Sequence, residues 1–302
     1  MKKNQPPRCY LGWNKTNNFK INERGTKIMT YKINLHITQK CNYNCKYCFA
    51  HFAGKEDLSL DDWKRIIDNL YDSKMVDAIN FAGGEPVLYR DFSKIVDYAY
   101  SKGFKLSIIT NGSLMLNEKL MPAETLAKFD TLGISVDSIK PETLVALGAC
   151  SKSHKVLTYA DLQELIKRAR KANPSVRIKL NTVITNINAD EDLTAIGKEL
   201  DIARWKILRM KLFDNDTFSN EQLLATDSEF ENFTRRHAEV SKDVVVENDL
   251  TRSYIMVDNQ GRLMDDEKED YKVVGSLLKE PFEDVFSRYH FDEETYNSRY
   301  VG

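Results

Sequence analysis

The sequence predicts an α/β fold, an open and partial (βα)6 barrel followed by a C-terminal extension. Strand-like and helix-like segments alternate six times between residues 31 and 210, and this alternation is typical of a parallel sheet covered by helices. Right-handed crossovers curl such a sheet toward a barrel, and six units are fewer than the eight of a closed TIM barrel. The unusual polar and cysteine motifs each follow the end of a strand, where such barrels place their active sites.

The barrel strands are expected at residues 31–38, 76–81, 105–110, 132–136, 176–183 and 204–210. The first of them alternates apolar and polar residues from Ile33 to Thr38, as a strand does. The helices are expected from Ser59 onward and at residues 92–100, 120–129, 141–147, 159–172 and 193–200. Ser59 and Asp62 form a capping-box pattern, and Gly103 follows the second helix as a typical helix-ending residue.

Residues 211–302 are expected to form a C-terminal extension that packs over the barrel mouth, and residues 1–30 a polar N-terminal segment. The extension contains a charged helix at 227–240, short strands at 244–247, 254–257 and 262–264, and an irregular tail from residue 271. We expect this tail to fold over a ligand bound at the barrel mouth.

The charge balance and the cysteine usage restrict partners and compartment. Lys and Arg number 44 and Asp and Glu 45, a net charge of −1, so we expect neither a nucleic acid nor a membrane surface as partner. No apolar run approaches the length of a membrane span. Three of the five cysteines crowd into eight residues and do not form a disulfide framework. We therefore expect a monomer in a reducing cytoplasm.

The cysteine loop, residues 41–49, places three thiolates at spacings of four and three residues, Cys41, Cys45 and Cys48. Thiolates this close are typical of a short loop that holds a soft metal centre. A structural zinc site or a fully ligated iron–sulfur cluster takes four ligands, and the two other cysteines lie far away. The loop would hold three irons of a [4Fe–4S] cluster and leave the fourth iron open. The alternative is a zinc site that a remote histidine completes.

The pattern Cys-x-x-x-Cys-x-x-Cys, followed by Phe49, resembles the signature of radical SAM enzymes. In that superfamily the open iron binds S-adenosylmethionine (SAM), whose one-electron cleavage gives methionine and a 5′-deoxyadenosyl radical. Gly83-Gly84-Glu85-Pro86, one βα unit later, resembles the SAM-binding turn of the superfamily, where only glycine lets the backbone approach the ligand. Alone, this motif is also consistent with a tight turn in a βα loop.

Polar residues at the ends of the third and fourth strands, taken singly, are typical turn or cap residues. Their position fits contacts to the carboxylate, ribose or sulfonium region of SAM. The resemblance therefore implies SAM-binding residues on four loops. They are Phe49, Gly83, Gly84, Glu85, Pro86, Asn111, Ser113, Ser135 and Asp137.

Two pairs of residues, Lys179 with Asn181 and Arg204 with Lys206, lie on the fifth and sixth strands. Positions i and i+2 of a strand point to the same face, so the members of each pair share a face. Three cations and an amide that converge near a barrel mouth suit a polyphosphate, to which arginine adds bidentate hydrogen bonds. The alternative is that both pairs face solvent on the outside of the barrel.

Taken together, the motifs resemble the viperin family within the radical SAM superfamily. The matching segments are Asn34 and residues 41–49, 80–86, 110–114, 134–138, 179–181, 183–185, 204–206, 253–254, 291–294 and 299–301. Viperins convert a nucleoside triphosphate, CTP, UTP or GTP, to its 3′-deoxy-3′,4′-didehydro analogue, which terminates viral polymerases. The deoxyadenosyl radical takes the ribose C4′ hydrogen, and the 3′-hydroxyl is then lost.

The resemblance also implies how the nucleotide is held. The substrate-binding residues would be Asn34, Lys55, Lys179, Asn181, Arg204, Lys206 and Tyr254. The cations of the fifth and sixth strands would hold the triphosphate, and the two asparagines would orient ribose or phosphate. Tyr254 would donate a proton to the leaving 3′-hydroxyl, and Lys179 and Asn181 would share the catalytic role. Electrons would come from an external donor such as a flavodoxin, a ferredoxin or another reductase.

Two positions depart from the family pattern. The lysine that the family has two residues before the asparagine of the Gly-Gly-Glu-Pro strand is Ala78 here, and we expect Lys55 to compensate. An arginine that contacts SAM in the animal enzymes falls near Ala149, with Lys152 and Lys155 as the candidates to replace it.

Two other functions remain open from the sequence. One is a radical SAM enzyme that acts on a peptide or on another small molecule. Its peptide-modifying members often hold further clusters in a C-terminal extension, and residues 211–302 contain no cysteine. The other is a non-catalytic iron–sulfur or zinc module that uses the cysteine loop structurally.

Overall fold

The computed structural model describes residues 19–21, 27–50, 56–215, 218–241, 243–247, 254–266 and 271–300. Its strands are β1 (Phe19–Ile21), β2 (Lys27–Met29), β3 (Tyr31–His36), β4 (Val76–Ala82), β5 (Lys105–Thr110), β6 (Thr131–Ser135), β7 (Arg177–Ile184), β8 (Arg204–Arg209), β9 (Asp214–Asn215), β10 (Phe218–Ser219), β11 (Val244–Glu247), β12 (Ile255–Val257), β13 (Arg262–Asp265) and β14 (Lys272–Ser276). Its helices are α1 (Leu60–Asp72), α2 (Phe92–Ser101), α3 (Ala123–Leu126), α4 (Pro141–Ala146), α5 (Tyr159–Ala172), α6 (Thr194–Glu199), α7 (Asp227–Arg236), α8 (Phe282–Phe286) and α9 (Glu293–Tyr300).

One sheet of ten strands forms the centre of the described structure, in the order β11-β8-β7-β6-β5-β4-β3-β12-β13-β14. Strands β3 to β8 are parallel neighbours in chain order. The predicted partial barrel of six βα units with a C-terminal extension is therefore confirmed. The extension adds β11 and β12 in parallel at the two edges, and β13 and β14 follow antiparallel.

The packing of the helices follows their apolar faces. Helix α1 buries Trp63, Ile66, Ile67 and Leu70, the face that its sequence presents at three- and four-residue intervals. The helix begins after Ser59, whose hydroxyl accepts a hydrogen bond from the backbone N–H of Asp62 at 3.1 Å. The helices cover the outer face of the sheet, where apolar strand residues pack against them. The other face of the sheet encloses the interior of the barrel.

The tail differs from the prediction. It was expected to be irregular, and that expectation is wrong because it forms β14, α8 and α9. Helix α8 buries Phe282 and Val285, and Tyr296 of α9 packs on Tyr31 with ring centroids 5.7 Å apart. These contacts stabilise two short helices, of which α9 has a largely polar sequence. The end of the tail thus lies beside the amino end of β3, whereas its first residue, Tyr271, lies on the cavity wall with Asp266. Cover of the mouth by residues 211–302 stays a prediction.

Helices α3 and α7 are shorter than expected. Residues 120–129 and 227–240 were predicted, and the observed helices are Ala123–Leu126 and Asp227–Arg236. Pro122 stands at the N-cap of α3, so residues 120 and 121 lie before the helix. None of the helices in the described ranges is both long and apolar enough to cross a membrane.

Candidate active site

A cavity of about 410 Å³ lies inside the barrel, between the cysteine loop and the amino-terminal part of the strands. The sequence-predicted residues on its wall are Asn34, Cys41, Cys45, Cys48, Phe49, Gly83, Gly84, Asn111, Ser135, Asp137, Lys179, Asn181, Lys206 and Tyr254. The predicted residues that are not part of this wall are Glu85, Pro86, Ser113 and Arg204. Lys55 lies outside the described residues. Ala149 lies on the wall, whereas Lys152 and Lys155 are exposed and away from it.

The cysteine loop is held by backbone hydrogen bonds to the segment after α4. Asn44 N–H donates to the Gly148 carbonyl at 3.2 Å, and Lys46 N–H donates to the Leu147 carbonyl at 3.0 Å. Gly148 has φ +74°, and a Cβ there would lie 2.3 Å from the Asn44 carbonyl oxygen. Only glycine therefore allows this contact.

The three thiols of the loop line one side of the cavity, and the other described cysteine, Cys150, is not on its wall. Burial raises the pKa of Cys48 and, more strongly, that of Cys45. A bound metal centre removes these protons and supplies the missing positive charge. In the described ranges no three His, Cys, Asp or Glu side chains converge on a single ion. Three thiolates beside an open cavity fit a [4Fe–4S] cluster, in which each thiolate binds its own iron.

The glycine turn, Gly83-Gly84, packs directly against the chain that enters the cysteine loop. Gly84 N–H donates to the Thr38 carbonyl at 2.7 Å. A Cβ on Gly84 would lie 2.4 Å from the Lys40 carbonyl oxygen, and one on Gly83 (φ +146°) would lie 2.4 Å from the Thr38 carbonyl oxygen. The glycines are thus required by the contact between two loops. Their predicted approach to SAM stays a prediction.

Glu85 links this turn to the end of β5. Its fully buried carboxylate accepts hydrogen bonds from the Thr110 hydroxyl at 2.7 Å and from Asn111 N–H at 2.9 Å. Burial raises the pKa of Glu85 to about 7, and the hydrogen bonds from Thr110 and Asn111 oppose that rise. The side chain therefore acts between loops and does not face the cavity.

Asn111 and Ser113 form a small amide network with Asn42 of the cysteine loop. Asn111 Nδ2 donates to Asn42 Oδ1 at 3.0 Å, and Asn42 Nδ2 donates to Ser113 Oγ at 2.8 Å. Asn111 Oδ1 also accepts from Ser113 N–H at 3.0 Å, which is the geometry of an Asx turn. These two residues thus act as turn residues that fix the cysteine loop, and Asn111 also lies on the cavity wall.

Asp137 connects the end of β6 with the cysteine loop. The Tyr47 hydroxyl donates to Asp137 Oδ2, and Val183 N–H donates to Asp137 Oδ1 at 2.7 Å. Burial raises the pKa of Asp137 to about 6, which the two hydrogen bonds oppose. Tyr47 belongs to the same loop as the thiols, so Asp137 helps to position them.

A row of amides crosses the middle of the cavity. Asn80 Nδ2 donates to Asn34 Oδ1 at 2.8 Å, and the Ser107 hydroxyl donates to Asn80 Oδ1 at 2.8 Å. Asn181 differs, because its buried Nδ2 has no hydrogen-bond partner among the described residues. Buried amide donors are normally paired. The N–H group of Asn181 is therefore available to a ligand on this wall.

The basic pairs lie side by side, as their spacing suggests. Lys179 is the register partner of Arg204, and Asn181 that of Lys206. Lys206 is almost fully buried, and its ammonium group contacts Glu247 and the Tyr254 hydroxyl, the latter at 2.8 Å. Lys179 and Lys206 lie on the cavity wall and do not face solvent on the outside.

Arg204 has a different environment from the other basic residues. Its guanidinium Nε pairs with Asp243, and the side chain is not part of the cavity wall. Its charge nevertheless acts on the cavity, since it contributes to lowering the pKa values of Lys32 and Lys179. Arg204 therefore lies beside the basic end of the cavity, which we define as Lys32, Lys179 and Lys206.

Lys32 is the main functional candidate that sequence reasoning missed. It lies on the cavity wall, and burial lowers its pKa to about 8, with Lys206 and Arg204 adding to the effect. The signal was present, because Lys32 stands two residues before Asn34 on the same strand and so shares its face. Other polar wall residues to which the sequence assigned no role include Tyr47, Asn80, Lys211, Asp266 and Tyr271. His36, a candidate ligand of the alternative zinc site, also lies on the wall.

Comparisons with known proteins agree with this geometry. The family model described as Radical SAM superfamily matches residues 35–200. A protein of Selenomonas ruminantium named S-adenosylmethionine-dependent nucleotide dehydratase is 72% identical over 274 residues, which are 91% of this chain and 100% of that relative. A protein of the same name from Fibrobacter sp. (strain UWH6) is 31% identical and covers 90% of this chain and 89% of its own length.

A solved structure shows the same fold. The crystal structure of Streptococcus suis SuiB bound to S-adenosylmethionine superposes with a TM-score of 0.66 at 15% sequence identity. The match covers 90% of this chain and 68% of that chain.

Proposed function

Because this chain belongs to the radical SAM superfamily, and within it to the S-adenosylmethionine-dependent nucleotide dehydratases, we propose that it removes water from a nucleoside triphosphate held in the barrel cavity. The observation that carries this proposal is the polarity of the cavity, with thiols at one end and ammonium groups at the other. A triphosphate at the basic end leaves the ribose between the amides and the cysteine loop.

The family implies a [4Fe–4S] cluster and SAM as cofactors, and the residues present fit both. Cys41, Cys45 and Cys48 would bind the cluster. The wall residues nearest this loop would bind SAM: Phe49, Gly83, Gly84, Asn111, Ser135 and Asp137. When bound, the two cofactors supply a 5′-deoxyadenosyl radical that takes a hydrogen atom from the substrate. Glu85, Pro86 and Ser113 support this site by shaping the loops.

The residues of the substrate half have distinct tasks in the proposal. Lys179 and Lys206 bind phosphate oxygens, and Arg204 adds positive charge from beside the cavity. Asn181 donates its unpaired N–H to a ribose or phosphate oxygen, and Asn34, held by Asn80, fixes the ribose from the opposite wall.

The reaction proposed is conversion of the ribose to its 3′-deoxy-3′,4′-didehydro form. Loss of the 3′-hydroxyl as water takes one proton, for which the Tyr254 hydroxyl is the donor. That hydroxyl contacts both Glu247 and Lys206. Completion of the double bond takes one electron beyond the one that cleaves SAM. An external one-electron donor and action as a monomer in the cytoplasm belong to the same proposal.

The test is an anaerobic assay of the reconstituted protein with SAM, dithionite and CTP, UTP, GTP or ATP in separate reactions. We expect 5′-deoxyadenosine formation to rise with one triphosphate, together with a nucleotide lighter by one water in the mass spectrum. Deoxyadenosine released at the same slow rate with and without every nucleotide would refute the proposed substrate and would favour a peptide or another small molecule.

The variant Tyr254→Phe tests the proton donor. We expect the ratio of dehydrated nucleotide to deoxyadenosine to fall roughly 100-fold, because general acid catalysis typically contributes this much, while the nucleotide KM changes little. The matched control is Tyr98→Phe, since the Tyr98 hydroxyl also contacts a carboxylate, Asp68, at 2.8 Å but lies away from the cavity. A rise in KM with an unchanged product ratio would show that Tyr254 positions Lys206 and donates no proton.

A further inference from the structure

The neighbour of Lys32 in the sheet is the first observation. Lys32 of β3 and Ala78 of β4 are register partners on adjacent parallel strands. Register partners point to the same face, and the next residues on that face, Asn34 and Asn80, are joined at 2.8 Å on the cavity wall. Ala78 has only a methyl group. The Lys32 side chain therefore occupies the face at a row where its neighbour leaves space.

The charges around Lys32 are the second observation. Lys206 and Arg204 have carboxylate partners, Glu247 and Asp243. Lys32 and Lys179 lie on the cavity wall and form no ion pair with any described carboxylate; Asp130 and Asp77 act on Lys32, and Glu247 acts on Lys179, only at longer range. Positive charges held close together with no paired counter-ion cost free energy in the folded protein. A bound polyanion would remove this cost, which is typical of a ligand site.

The position of Lys32 along its strand is the third observation. Of the β3 residues on the wall, Lys32 is the farthest from the cysteine loop, four residues or about 13 Å before His36 at the rise of a β-strand. A nucleotide whose ribose lies near the thiols would reach Lys32 only with the last part of its phosphate chain.

We propose that Lys32, together with Lys179, binds the terminal phosphate of the nucleotide and makes the protein select triphosphates over di- and monophosphates. Lys32 thereby supplies, from β3, the ammonium group that Ala78 does not supply from β4. The role that the sequence suggested for Lys55 would then fall to Lys32. This inference rests on the proposed function, because it concerns the same cavity.

The experiment measures binding of nucleoside tri-, di- and monophosphates to the full-length, cluster-loaded protein by calorimetry, without SAM or reductant. For Lys32→Met we expect at least a 10-fold higher Kd for the triphosphate and little change for the monophosphate, so that triphosphate selectivity is lost. Inorganic tripolyphosphate, used as a second probe, should bind the wild type and lose affinity in the same variant. If the wild type binds the nucleoside triphosphate but not tripolyphosphate, the nucleoside determines the affinity. That result would overturn the proposed phosphate contact of Lys32.

A rescue variant separates a phosphate contact from a structural role. We expect Lys32→Met combined with Ala78→Lys to restore the triphosphate affinity to within a few-fold of wild type, because the two side chains share a face. The control is Lys128→Met, whose ammonium pairs with Asp97 at 2.9 Å and is not part of the wall. The same loss in this control, or a loss that Ala78→Lys does not reverse, would overturn the proposal.

The stability of the ligand-free protein distinguishes a ligand-binding role of Lys32 from a structural one, because the two roles predict opposite changes in Tm. Lys32→Met should raise the Tm of the ligand-free protein, since it removes an unpaired charge; a lower Tm would count against the proposal. If Lys32→Met binds triphosphate as the wild type does, while the wild type still forms nucleotide-dependent deoxyadenosine, only this inference fails. If the wild type binds no triphosphate, the proposed function fails as well.

Discussion

Polar groups on the wall of the barrel cavity are set in place before any ligand arrives. Asn34 is fixed by Asn80, whereas Asn181 keeps an unpaired N–H. Lys32 and Lys179 form no ion pair with a described carboxylate. Such preorganised donors cost stability in the empty protein and need no rearrangement when an anionic ligand binds.

The pH dependence of nucleotide binding tests whether Lys32 contributes its positive charge to the ligand site. The pKa of Lys32 is lowered to about 8 by burial, Lys206 and Arg204, against a smaller opposing effect of Asp130 and Asp77. The terminal phosphate itself titrates at about pH 6, so the contribution of Lys32 is the difference in affinity between wild type and Lys32→Met. Because only the protonated amine attracts phosphate, we expect this difference to be constant below pH 7 and to shrink above pH 8. Calorimetry across this range, with Lys32→Met as the comparison, measures it.

The same pKa predicts a change in stability of the ligand-free protein. Between about pH 8 and the ordinary lysine pKa of 10.5, the unfolded chain binds a proton that folded Lys32 does not. Stability contributed by this residue therefore rises with pH over that window. Thermal unfolding of wild type and Lys32→Met should converge as the pH increases. Parallel curves would contradict a lowered pKa at Lys32.

At the scale of elements, the glycine turn and the cysteine loop form one unit. Backbone hydrogen bonds and contacts below ordinary Cβ distances join them, and Glu85 extends the unit to the end of β5. The position of the thiols therefore depends on residues that do not contact a metal.

The variant Gly84→Ala tests this dependence. Its Cβ would lie 2.4 Å from the Lys40 carbonyl oxygen, so the cysteine loop must move. We expect less iron per protein and weaker visible absorbance after reconstitution, by several-fold. The control Gly103→Ala has a positive φ of +86° but no atom within 4 Å of the new Cβ. Gly103→Ala should cost about 1 kcal/mol of stability and leave the iron content unchanged. Equal iron content in both variants would show that the glycine turn does not position the cysteine loop.

The elements that the sequence predicted best are those with strong local patterns. The β5 strand at 105–110 and the α5 helix at 159–172 have the bounds that were expected. Helix α5 is amphipathic and has a capping box at Thr158. Helix α8 was missed because it depends on a distant partner: Phe282 N–H donates to Asn69 Oδ1 at 2.8 Å, 213 positions earlier in the chain. Strand β14 was missed although its partner β13 lies close in the chain.

Prediction of the site followed the same rule. Most motif residues at strand ends lie on the cavity wall, since parallel strands bring their ends together. Glu85, Pro86 and Ser113 do not, and the roles of all these residues stay predictions. Arg204 was expected on the wall, but Asp243, which stands 39 residues later in the chain, pairs with it. Lys32 was missed because its only sequence signal is its spacing from Asn34; that it lies on the same cavity wall as Lys179 and Lys206 is visible only in the folded sheet.

At the scale of the whole molecule, side chains connect the two outermost parallel strands of the sheet, β11 and β12. Strand β11 lies at one edge of the sheet, and β12 lies beyond β3 on the other side. Glu247 at the end of β11 contacts both Lys206 of β8 and Tyr254, which directly precedes β12. Polar side-chain contacts thus close the cavity where no backbone ladder does.

Replacement of Glu247 tests this closure. Glu247→Gln removes the carboxylate from a pair whose side chains are both 3% exposed, and loss of one partner of such a pair costs about 3–5 kcal/mol. We expect a lower Tm in the ligand-free state but tighter binding of tripolyphosphate, since Lys206 no longer shares its charge with this carboxylate. Thermal unfolding with and without tripolyphosphate measures both effects.

The control for this variant is Glu280→Gln, which removes an exposed pair with Arg288. Surface pairs contribute little, so neither Tm nor tripolyphosphate binding should change. Weaker tripolyphosphate binding to Glu247→Gln would show that the carboxylate orients Lys206 and does not compete with the ligand.

The place of β12 in the sheet also determines when the protein can finish folding. The amide of Asn34 donates to the Ile255 carbonyl, and the two residues stand 221 positions apart in the chain. At a synthesis rate of about 5–20 residues per second, roughly 10–45 seconds separate them on the ribosome. Until then, β3 presents an open strand edge to other nascent chains. We expect slow, late completion of the barrel, and a need for chaperones during synthesis greater than in proteins of the same length with local contacts.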